Sequence, residues 1–152
     1  MKLDEDIFIE LVKTHAEDKG VLGPCVKSTA RWCEKNRLPD EIRHLFKTNM
    51  PKANISAGAG TLFDELNLIR WNEDFPEALH ARLLIIGSAA NGDHIVINMK
   101  DGSTGYISHE NDWQQSPRNY FVAVSPSIGS YLRDINHNPP LVPEDFWMAK
   151  SS

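Results

Sequence analysis

Apolar residues recur at helical spacing along the first half of the chain, and along the second half they alternate or run together as strands do. From Asp4 to His15, Ile7 and Leu11 fall on one helical face with Phe8 and Val12 to one side. Acids occupy the first turn, where the helix dipole favours them. Gly20, Gly23 and Pro24 then interrupt the pattern. A second helix is predicted from Ser28-Thr29 through Ala30, Trp32, a core candidate, and Cys33, with Asn36 as its terminator. Leu38-Pro39-Asp40-Glu41 opens a third, which places Ile42, Leu45 and Phe46 inward and ends at Asn49 and Pro51. Ile55 to Gly60 is small and flexible. Leu62, Phe63, Leu66, Leu68 and Ile69 fit helix or strand equally, and Trp71 to Pro76 reads as a loop.

From Leu83 the texture is that of an antiparallel sheet. Leu83 to Ile86 is a buried strand closed by Gly87, and Asn91-Gly92-Asp93 turns the chain into His94 to Met99, with Ile95, Ile97 and Met99 on one face. Asp101 to Gly105 is a hairpin signal, answered by Tyr106 to His109. Tyr120 to Val124 is another strand. Ser125 as N-cap and Pro126 at the first position start a final helix that turns Ile128, Tyr131, Leu132 and Ile135 inward. The tail, 137–152, carries Pro139, Pro140, Pro143 and the apolar cluster Phe146-Trp147-Met148, expected to dock somewhere. Helices, then a meander of strands, then a closing helix predict an α+β fold, with the helices packed on one face of an antiparallel sheet.

Composition adds little. A chain of 152 residues is one domain and long enough to bury about two-thirds of its unfolded surface. A net charge of −5 argues against an extended nucleic-acid footprint and suits a basic protein partner. No apolar run is long enough to span a bilayer, and Met1 to Asp6 carries three carboxylates where a signal peptide needs positive charge. Cys25 and Cys33 lack the spacing of a zinc site or a disulfide framework, so the expected setting is the cytoplasm with reduced thiols.

Candidate chemistry is sparse. His109, Glu110 and Asp112 could ligate a cation, but no second ligand group stands at recognised spacing, and a polar strand-end loop accounts for them. No serine sits on a nucleophile elbow: Gly87-Ser88-Ala89 lacks the pattern, and Gly129-Ser130 falls inside the final helix. The glycines of Ile55 to Gly60 lack the lysine of a phosphate loop. Neither a metal nor a cofactor is expected, and the failed search for a convergent catalytic set argues against an enzyme. Trp71 and Trp113 flank loops around the sheet, with Glu73, Asp74, Glu110 and Asp112 close by in sequence. Either these six form an acidic, aromatic partner-binding surface, or the tryptophans cap the core while the acids are solvated.

Three stretches together resemble the SUKH superfamily, which includes a fungal cell-wall-synthesis regulator and many bacterial toxin-immunity proteins. The first is Leu38-Pro39 leading into the helix of Leu45-Phe46. The second is Leu84-Ile85-Ile86-Gly87, then Asn91-Gly92-Asp93-His94-Ile95, then Gly105-Tyr106-Ile107 and His109-Glu110. The third is Val122-Ala123-Val124-Ser125 followed by a helix. The resemblance spans residues 28 to 136. The chain departs from it at Ile128 and Tyr131, where the family often has Phe, and in the longer segment from Asn54 to Ala81. Physically these motifs are scaffold: Gly87 lets a strand end close on its neighbour, Gly92 supplies a positive φ, and Asp93 accepts backbone N–H groups in its turn. The resemblance implies a domain that binds a protein partner, a toxin, and blocks it without turnover. A monomer or small homo-oligomer is expected, with neither nucleic acid nor membrane as partner. The alternative it implies is a regulatory or scaffolding domain in cell-wall or signalling pathways.

Overall fold

A computed structural model describes residues 1–15, 21–57 and 60–137. Helix α1 (Glu5–His15) carries Glu5 and Asp6 in its first turn. It buries Phe8 and Val12 while Ile7 and Leu11 stay half-buried, so the inward face is rotated from the one expected. Strand β1 (Leu22–Gly23) follows. Helix α2 (Lys27–Lys35) stops at Asn36, whose side chain donates back to the Trp32 carbonyl. Trp32 is half-buried at the core's margin, while Cys33 lies inside it. Helix α3 (Asp40–Asn49) enters through Pro39, buries Ile42, Leu45 and Phe46, and runs into strand β2 (Met50–Pro51), which pairs antiparallel with β1.

Two segments differ from expectation. Ile55 to Ala57 and Gly60 to Leu62 form an antiparallel strand pair, β3 (Ile55–Ala57) and β4 (Gly60–Leu62), because Ile55 and Leu62 face each other across it and are both buried. Trp71 to Asp74 is the last turn of a helix, α4 (Glu65–Asp74), followed directly by α5 (Pro76–His80). The α4 period is hidden because its two buried positions are Leu68 and Asn72, and a polar residue at an inward position reads as loop. Asp64 caps α4 by accepting the Asn67 N–H at 2.8 Å. In the first turn of α4 the Glu65 carboxylate accepts the Val26 N–H (2.8 Å) and faces Lys52 Nζ (2.7 Å), tying the helix to the entry of α2. Burial of Glu65 opposes its ionisation, but hydrogen bonds from Lys52, Thr29 and Val26 prevail and hold the carboxyl below its ordinary pKa.

The expected meander forms one six-stranded antiparallel sheet in the order β3-β4-β5-β6-β7-β8, with β5 (Leu83–Ala89), β6 (His94–Asn98), β7 (Thr104–Ile107) and β8 (Phe121–Ser125). The architecture is α+β. A short helix α6 (Pro117–Tyr120) precedes β8, and α7 (Ile128–His137) closes the described chain. Its cap is Ser127, two residues later than expected: the Ser130 N–H donates to Ser127 Oγ and the Ser127 N–H to Ser130 Oγ, while the Ser127 hydroxyl reaches the Asp4 carboxylate. The tail beyond His137 lies outside the described residues.

All of β6 is buried, on both faces. Ile97 lines an apolar cavity of about 30 Å³ with Phe8 of α1, Phe46 of α3 and Ile128 of α7. His94, three positions earlier on the strand, points to the other side. There the covering comes from Trp71, Phe75 and Trp113. Where β4 ends, α4 takes over as the neighbour of β5. The Asn72 side-chain amide accepts the Ile85 N–H (3.0 Å) and donates to the Ile85 carbonyl (2.7 Å), as a strand residue would. Its Nδ2 also donates to Leu68 O at 2.8 Å.

Asn72 is fully buried, so truncating it orphans two backbone groups that water cannot reach. Asn72→Ala is expected to destabilise the fold by about 3 kcal/mol in urea titration; a loss below about 1 kcal/mol would show that Ile85 finds other partners.

Candidate protein-binding face

The two tryptophans singled out by sequence come together over β6. Trp71 stacks on Phe63 (ring centroids 5.1 Å) and on Phe75 (5.9 Å), and Phe75 packs on Trp113 at 5.5 Å. The His94 ring fills the middle, 5.6 Å from Trp71, 5.2 Å from Phe75 and 5.4 Å from Trp113. Trp71 is half-buried, but Trp113 is only 2% exposed and supports the surface from beneath instead of anchoring a partner directly. The four acids are exposed: Glu73 and Asp74 in the last turn of α4, Glu110 and Asp112 in the loop after β7.

The turn residues hold this loop in place. Gly92 has φ +93, as a tight turn with positive φ requires. Asn91, not Asp93, makes the local Asx contact, accepting the Asp93 N–H at 3.1 Å. The Asp93 carboxylate, 1% exposed, instead reaches across to the end of β7, where it accepts the His109 N–H (3.0 Å) and faces His109 Nδ1 (2.7 Å). That pair fixes the start of the segment bearing Glu110 and Asp112. Gly87 is not a strand end: it lies inside β5 just after a bulge at Ile86, where an added Cβ would come within 2.3 Å of the Thr61 carbonyl on β4. The close approach of β4 is the reason for glycine there.

Sequence reasoning passed over His94, whose only signal was its position directly after Asp93. Its Nδ1 is buried with no hydrogen-bond partner. Burial lowers its pKa to about 4, with the Asp93 carboxylate opposing the shift and His109 adding to it. The imidazole is therefore neutral and behaves as an aromatic packing unit. Among the described residues, no group of three or more His, Cys, Asp or Glu lies close enough to hold a metal. Burial pushes the Cys33 thiol up to about 12, which leaves it unreactive at neutral pH. No helix among the described residues is long and apolar enough to cross a membrane. Neither a protein-family model nor a curated protein matches the chain.

A histidine whose folded pKa lies below its unfolded value stabilises above the unfolded pKa and loses that contribution as pH falls toward the folded one. For His94 the window runs from the ordinary imidazole value of 6.5 down to about 4. Chemical denaturation at pH 7.5 and at 4.5 is expected to differ by about 2–3 kcal/mol in the native protein, and His94→Phe should remove most of that difference. An unchanged pH slope in the variant would mean His94 is already charged or hydrated in the folded state.

Proposed function

We propose that this chain is a protein-binding domain that neutralises a cognate bacterial toxin by direct contact, covering the toxin's working surface without turnover. The observation that carries the reading is a single packed aromatic cluster, from Trp71 to Trp113, joining two exposed acidic segments far apart in sequence. Glu73 and Asp74 stand in the last turn of α4, where the dipole disfavours carboxylates, and no basic residue in that turn offsets them. Both carboxylates stay exposed, without a cation in that turn, and so are open to a basic partner. Exposed carboxylates on a packed base steer a basic partner and lower its encounter barrier. The resemblance to the SUKH superfamily supports the same reading and supplies the class of partner.

Co-expression with the toxin encoded beside this chain is expected to restore growth and yield a stable one-to-one complex. Failure to protect against any neighbouring toxic reading frame overturns the proposal. Glu110→Lys is expected to slow association roughly 3–10-fold at low salt, with the difference shrinking as salt rises. An on-rate unchanged at low salt would remove the loop after β7 from the interface.

A further inference from the structure

We infer that β8 is the site of self-association, pairing antiparallel with β8 of a second copy to join two sheets across a two-fold axis. Among the described residues the sheet has two edges, β3 and β8. The β3 edge spans three residues, with Ile55 buried and Ser56 exposed. The β8 edge is different in kind. With Tyr120, the last residue of α6, its residues Phe121-Val122-Ala123-Val124 make an uninterrupted apolar run, yet none of the five is fully buried: Tyr120 and Ala123 are exposed and the rest half-buried. The interior strands β6 and β7 are buried throughout. An exposed run of this length, on an edge with no Lys, Glu, Asp or Pro inside it, departs from the usual protection against strand pairing unless pairing is its purpose.

The edge also fits a copy of itself. β8 carries a bulge at Val124, which leaves Phe121 to Ala123 as its regular stretch. An axis at Val122 sets Phe121 across from Ala123 twice, a large ring against a small exposed side chain. No charged residue opposes another within the pair, a condition that matters for two chains each carrying −5. Helix α6 precedes the strand and Pro126 follows it, and because both copies use the same edge the pairing closes as a dimer and does not propagate.

Sedimentation velocity of the full chain between about 1 and 200 µM is expected to show a dimer at the upper concentrations. Ala123→Lys places charges near the axis at an exposed position. It is expected to weaken association at least ~10-fold while far-UV circular dichroism and the melting temperature stay unchanged, and the uncharged Ala123→Ser should keep the dimer. A wild-type monomer throughout that range overturns the inference, including one whose β8 amides are protected by another segment of the same chain. So does a dimer that Ala123→Lys leaves intact.

Discussion

The amide of Asn72 is the contact on which the arrangement of the other parts depends. Strand β5 needs a hydrogen-bonding neighbour along its whole length, but β4 ends at Leu62, and Phe63 makes the last backbone bond, to Ile86. At Ile85 the side chain of a helical residue stands in for the missing strand. That substitution draws α4 to the margin of the sheet. From there Leu68 packs toward the cavity side and Trp71 toward the His94 side, and Glu65 ties α2 and Lys52 to the same helix. A strand in that place would close the ladder equally well but would not carry two exposed carboxylates beside an aromatic cluster.

The aromatic cluster and the Asp93–His109 pair extend this order to the opposite side of the sheet. A neutral His94 among Trp71, Phe75 and Trp113 lets a polar side chain serve as an aromatic plate, at the cost of a buried nitrogen without a partner. Asp93, reached from a turn of positive φ, holds the backbone of His109 and with it the start of the acidic loop. The exposed acids thus sit on backbone fixed by hydrogen bonds. A surface arranged in this way in advance would lose less conformational entropy in any binding event.

Much of this was legible in the sequence where periodicity and turn chemistry act locally. The helix from Asp40, the buried strand from Leu83, the turn at Gly92 and the hairpin near Gly102 all follow from short-range rules, and the α+β order follows from them. What was not legible depends on tertiary substitution. Asn72 broke the apolar period of α4 because its role is to complete a sheet, and β4 hides in small residues because Gly60, with Gly87 opposite on β5, must let those two strands approach closely. The pairing of Asp93 with His109, 16 residues on, leaves no trace in spacing alone. The burial of Trp113 likewise depends on Phe75 and His94 arriving from other elements.

Native-state hydrogen exchange of the Ile85 amide tests most directly whether α4 is bonded into the sheet and so fixes the acidic face. If Asn72 completes the ladder, that N–H exchanges only through global unfolding, as slowly as the amides at the centre of β6. Exchange at the rate of an exposed loop amide would mean that α4 lifts away from β5 on its own, and the face it carries would then not be preformed.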